Sequence, residues 1–179
     1  TSTALVADPS KAVATNNEQL EAALTNADVT EITVEGNIGS EDAYTIYNVG
    51  RPVTIQGKDE NAKVYGSFII KADGVAIENK GDLDGESSNN RVGIYVFAEN
   101  ATLTNNTITN GLGTEAGLSN AIQIMSPTEN NPLSNYVITG NTLKGHDNEV
   151  TNWSSSGIVI AQGYKPGSIG EEVLAITAS

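Results

Sequence analysis

The chain has no cysteine, which excludes disulfide support and leaves stability to packing and hydrogen bonding. It is also poor in basic residues: nine Lys and Arg stand against 22 Asp and Glu, a formal net charge of −13. That balance argues against nucleic acid and anionic membrane as partners, because a polyanion needs a local basic cluster and the sequence contains none. No stretch approaches the ~20 apolar residues of a membrane-spanning helix, so membrane insertion is not expected. The second half of the chain carries no helical periodicity.

What the chain has in quantity is turn chemistry, with 18 Gly and abundant Asn and Thr among 179 residues, a length that suits one domain. It also repeats itself. Ala-Thr-Leu-Thr-Asn-Asn-Thr-Ile-Thr-Asn-Gly from Ala101 and Tyr-Val-Ile-Thr-Gly-Asn-Thr-Leu-Lys-Gly-His from Tyr136 are each a β run, an Asn turn and another β run. A second phrase alternates with them: Gly-Ile-Tyr-Val from Gly93, Ala-Ile-Gln-Ile from Ala121 and Gly-Ile-Val-Ile from Gly157. Ile94 to Ile122 is 28 residues and Ile122 to Ile158 is 36, while Leu103 to Ile138 is 35 and Ile138 to Leu174 is 36. Two phrases in fixed order at uneven spacing predict a coil with variable loops, each unit burying its apolar side by stacking on the next. Ile94 and Val96, Ile122 and Ile124, and Ile158 and Ile160 alternate with the period of a half-buried strand.

Asparagine suits sharp corners because it tolerates left-handed backbone better than other residues with a side chain. Asn106 and Asn141 fall at equivalent corners of the two long phrases. Stacked about one strand spacing apart, roughly 4.8 Å, their amides are expected to bond the backbone of the adjacent coil and form an internal ladder. Asn100, Asn105 and Asn152 head Asn-x-Ser/Thr sequons, the alternative glycan-bearing reading of these corners.

On these phrases the chain resembles a right-handed parallel β-helix of the pectin-lyase-like superfamily, in the style of secreted and cell-surface bacterial proteins. The resemblance covers roughly residues 13–177. It implies an all-β solenoid with a short N-terminal capping α-helix: an extension over 1–12, then a β-helix domain over 13–179. Thr15-Asn16-Asn17-Glu18 reads as a capping box ahead of Leu20, Ala23 and Leu24, the apolar stripe of a helix able to plug the open end of the stack. Strands are expected at 31–34, 52–56, 67–71 and 75–78. The resemblance and the initial Thr predict a mature or excised piece of an exported protein. The phrase at 172–179 starts and stops, which predicts a longer parent and a final coil whose open strand edge favours self-association.

The superfamily includes polysaccharide lyases and glycoside hydrolases, and the residues can be held against their chemistry. A lyase needs an Arg or Lys base and a cation to neutralise a uronate. Arg91 follows an acidic loop with Asp82, Asp84 and Glu86, the candidate Ca2+ ligands, although the full calcium-loop pattern is missing. The superfamily's Arg-x-Pro-x-x-Arg and Trp-Ile-Asp-His segments are absent, and His146, the only histidine, lacks the partner motifs of a polygalacturonase. A hydrolase needs two carboxylates side by side, about 5.5 Å apart or about 6.5 to 9.5 Å apart, and the coil alignment shows no such acidic column. No catalytic residue transfers.

Alternate positions of the second phrase stack outward as Tyr95, Gln123 and Val159, and as Phe97, Met125 and Ala161. This strip is neutral and partly apolar, and the loop over 148–156 with Trp153 is a candidate lid. Aromatic faces pair with sugar rings, which makes Tyr95, Phe97 and Trp153 the candidate glycan-binding residues. Thr102, Thr104, Thr107, Thr109, Thr139 and Thr142 form further outward rows best read as strand propensity. The expected function is a non-catalytic secreted or cell-surface β-helix, structural or carbohydrate-contacting. The alternatives are a polysaccharide lyase or hydrolase and a self-associating surface-layer or adhesin element.

Overall fold

The computed structural model describes residues 7–40, 45–78, 82–84, 92–109, 120–125, 135–144 and 156–161. It is an all-β arrangement of parallel strands with one helix. In chain order come β1 (Lys11–Ala14), α1 (Asn17–Thr25), β2 (Glu31–Val34), β3 (Asn37–Ile38), β4 (Thr45–Val49), β5 (Thr54–Gly57), β6 (Lys63–Ile70) and β7 (Ala76–Glu78). They are followed by β8 (Asp82–Asp84), β9 (Val92–Val96), β10 (Thr102–Thr104), β11 (Thr107–Thr109), β12 (Asn120–Met125), β13 (Val137–Thr139), β14 (Thr142–Lys144) and β15 (Ser156–Ala161).

β1 pairs with β2 across α1, and from β2 onward consecutive strands do not pair with each other. The chain lays one strand in each of three ladders and then returns to the first. One ladder runs β1-β2-β5-β7-β10-β13. The second and third share β6: its first half pairs with β3 and β8 and its second half with β4 and β9, so the ladders join into one nine-stranded sheet. Parallel neighbours need a long crossover, and each pass through the other two ladders supplies it.

Register turns the sequence repeat into aligned columns. Ile32, Ile55, Ile77, Leu103 and Ile138 are successive partners in the first ladder. Ile38, Val64, Leu83, Ile108 and Leu143 follow one another in the second. Tyr47, Phe68, Ile94, Ile122 and Ile158 do so in the third. Most of these side chains are fully buried in one core, in which Tyr47 lies 5.4 Å from Phe68. Ile158 and Ile160 prolong the columns on the last described strand and remain 45% and 40% exposed. β-branched residues fit these positions because the strand already restricts their rotamers.

The structure corrects several expected boundaries. β1 begins at Lys11, inside the expected N-terminal extension, and pairs in register with β2. The strand expected from Pro52 begins at Thr54, since proline has no N–H to give to the ladder. The strand expected from Ser67 begins at Lys63 and runs through Gly66, where a Cβ would stand 2.1 Å from the Thr45 carbonyl oxygen. Only glycine allows that approach. The helix N-cap is Asn16, not Thr15: its side chain accepts from the Gln19 N–H, and Gln19 Oε1 reaches back 2.8 Å to the Thr15 N–H. The capping logic is the expected one, displaced by a residue.

Candidate functional site

The outward side of the third ladder carries the candidate surface. Tyr95 in β9 is the direct ladder partner of Gln123 in β12, which in turn pairs with Val159 in β15. Strand alternation puts Phe97 on the same side as Tyr95, and their rings stack 4.6 Å apart at 13°. Both side chains are half-buried. The Tyr95 hydroxyl donates to Met125 Sδ at 2.9 Å, and Gln123 Nε2 donates to the same sulfur at 3.2 Å. Burial pushes the Tyr95 hydroxyl above the usual phenol pKa, keeping it a neutral donor. The structure therefore brings Tyr95 and Phe97 together in one patch with Gln123 and Met125. Trp153 lies outside the described residues, and Ser156, the last residue of the expected lid, is the first residue of β15.

Asp82 and Asp84, read from sequence as part of a loop, are the ends of strand β8. Glu86, Arg91 and His146 lie outside the described residues. Among the described residues no three His, Cys, Asp or Glu gather as metal ligands. The expected self-association edge at 172–179 is likewise outside them.

At the corner between the first and second ladders, Asn106 is 1% exposed. Its Nδ2 donates to the Ile77 carbonyl at 2.9 Å, and its backbone N–H donates to Asn141 Oδ1 at 2.9 Å. Asn141 Nδ2 then donates to the Leu103 carbonyl at 2.8 Å. Ile77 and Leu103 are themselves ladder partners, so the two amides make the same contact one strand apart. Left-handed backbone falls one residue earlier than the sequence suggested, at Asn105 (φ 55) and Gly140 (φ 66). The turn and the ladder are tasks of adjacent residues. Asn100, which heads a sequon, also turns a corner (φ 55), in line with Gly74 and Asn135.

Sequence reasoning missed the clamp on α1. Arg51 donates from Nε to the Leu24 carbonyl at 2.9 Å, from one terminal nitrogen to the Ala23 carbonyl at 2.6 Å and from the other to the Val29 carbonyl. At the other end of the helix the Tyr47 hydroxyl donates to Asn17 Oδ1 at 2.6 Å. A signal for Arg51 was available: the last turn of α1 has no basic residue of its own, leaving its carbonyls for a cation from elsewhere.

Compared with models of known families, with curated protein sequences and with solved structures, the chain matches none. Among the described residues no helix is long and apolar enough to cross a membrane.

Proposed function

We propose that the three ladders are the faces of a right-handed parallel β-helix of the pectin-lyase-like kind, capped by α1. Support comes from the in-register columns and from the strong right-handed preference of crossovers between parallel strands. On this scaffold the chain acts as a non-catalytic, secreted or cell-surface module that contacts a glycan. The observation that carries this reading is the stacked, half-buried Tyr95–Phe97 pair on an outward strand face beside the Gln123 amide. An aromatic face offers a sugar ring apolar contact, and an adjacent amide offers hydroxyl recognition. The absence from the sequence of the lyase and polygalacturonase motifs favours binding over catalysis, since fold alone does not carry chemistry.

The test is an array of neutral and uronate polysaccharides, with and without calcium, scored for retained protein and for ultraviolet absorbance of unsaturated products. Retention without product is expected, and Tyr95→Ala or Phe97→Ala should reduce it at least about tenfold, the loss of ~1.4 kcal/mol of ring contact. Product formation would replace this reading with a lyase. Retention that survives both substitutions would move the glycan site elsewhere.

A further inference from the structure

Met125 is the only methionine of the chain and stands outside the core, half-buried on the outward side of β12. Two side-chain donors converge on its sulfur, the Tyr95 hydroxyl at 2.9 Å and the Gln123 amide at 3.2 Å. A thioether is a weak acceptor, so this arrangement gives the donors little in return. The group that would suit them is an oxygen carried on that sulfur.

We infer that Met125 is a site of reversible oxidation by a peroxide-class oxidant, with Tyr95 and Gln123 as the receptor of the sulfoxide oxygen. The sulfur lone pair attacks one peroxide oxygen, the S–O bond forms and the O–O bond breaks. Sulfur loses two electrons, and the departing hydroxide takes the proton of the transferred oxygen and leaves as water. A sulfoxide reductase supplied with two thiols reverses the step, yielding the thioether, a disulfide and water. The thiols are external because the chain has no cysteine. Oxidation turns an apolar point of the strip into a strong acceptor and ties the Tyr95 hydroxyl to it, which changes the face that Tyr95 and Phe97 present. The inference is independent of glycan binding.

The test treats the folded chain with hydrogen peroxide and locates added oxygen by peptide mass spectrometry, with Met125→Leu as the blank for that peptide. Met125 is expected to gain one oxygen while folded, at a rate comparable to that in urea, and to lose it to a methionine sulfoxide reductase with dithiol. Oxidised wild type should keep its Tm, whereas oxidised Tyr95→Phe, lacking the donor, should melt lower than its own reduced form. A folded chain whose Met125 takes up no oxygen overturns the proposal. So does an equal fall in Tm on oxidation of both proteins, because the hydroxyl would then play no part in receiving the sulfoxide.

Discussion

Asn106 links three passes of the chain: its side chain reaches back to the Ile77 carbonyl, and its N–H reaches forward to the Asn141 side chain. Replacing Asn106 with Ala leaves a buried carbonyl without its donor, which costs about 1–3 kcal/mol. Urea unfolding should read that loss. Asn141→Ala removes an acceptor and a donor together, yet Asn141 is half-exposed and water can substitute, so its cost should be smaller. Ser67 gives the opposite case. It immediately precedes Phe68 in a column, as Gly93, Ala121 and Gly157 precede Ile94, Ile122 and Ile158. At Gly93 a Cβ would meet Ile108 at 2.8 Å, which explains why the repeated phrase opens on a small residue. Ser67 is 1% exposed and its hydroxyl has no hydrogen-bond partner among the described residues. Ser67→Ala should therefore leave stability unchanged or raise it by up to ~1 kcal/mol, and a lower urea midpoint would count against the burial argument.

At the scale of the element, α1 is a nine-residue helix too short to persist alone. It holds because Leu20, Ala23 and Leu24 enter the core and because Tyr47 and Arg51, from β4 and the turn after it, grip its two ends. The Arg51 guanidinium serves three carbonyls with one planar fork, a geometry that a lysine ammonium cannot copy. Arg51→Lys should restore little of what Arg51→Met loses, about 1–3 kcal/mol. Hydrogen exchange gives the sharper check. The amides of Leu24, Thr25 and Asn26 should exchange faster in both variants, while those of β10 stay protected. Uniform acceleration would show that Arg51 supports the sheet as a whole.

For the whole molecule, the exposed ion pair of Lys58 with Glu35 adds little to stability, and hydrogen-bonded columns and a buried phenol matter more. Burial first, and then the charges of Glu99 and Asp73, push the Tyr136 hydroxyl up to about 12 from its ordinary 10.0. The folded state therefore holds this proton more tightly than the unfolded chain does. That contribution is fully present below pH 10 and is lost as pH rises through about 12, so stability falls across this window. The Tyr136 hydroxyl is buried with no hydrogen-bond partner among the described residues, and Tyr136→Phe should flatten the alkaline decline without lowering stability at neutral pH. Ultraviolet titration should show that the tyrosine ionising near pH 12 disappears in this variant.

The sequence alone determined the apolar alternation and the pairing of Ile94 with Ile122 and Ile158, because the period of a strand and the repeat of a phrase are local and additive, but it did not mark β1, β3, β4 or β8. It determined the buried stripe of α1 and the equivalence of Asn106 and Asn141 for the same reason, though not that the turns themselves fall at Asn105 and Gly140. It offered Tyr95 and Phe97 as a pair, since alternation puts them on one side of a strand. Only the tertiary structure decided that Met125 receives the Tyr95 hydroxyl, that Arg51 closes the helix and that Gly66 lies under the Thr45 carbonyl. Each of these joins residues about twenty to thirty positions apart, and such distances close only when the register of the ladders brings successive passes together.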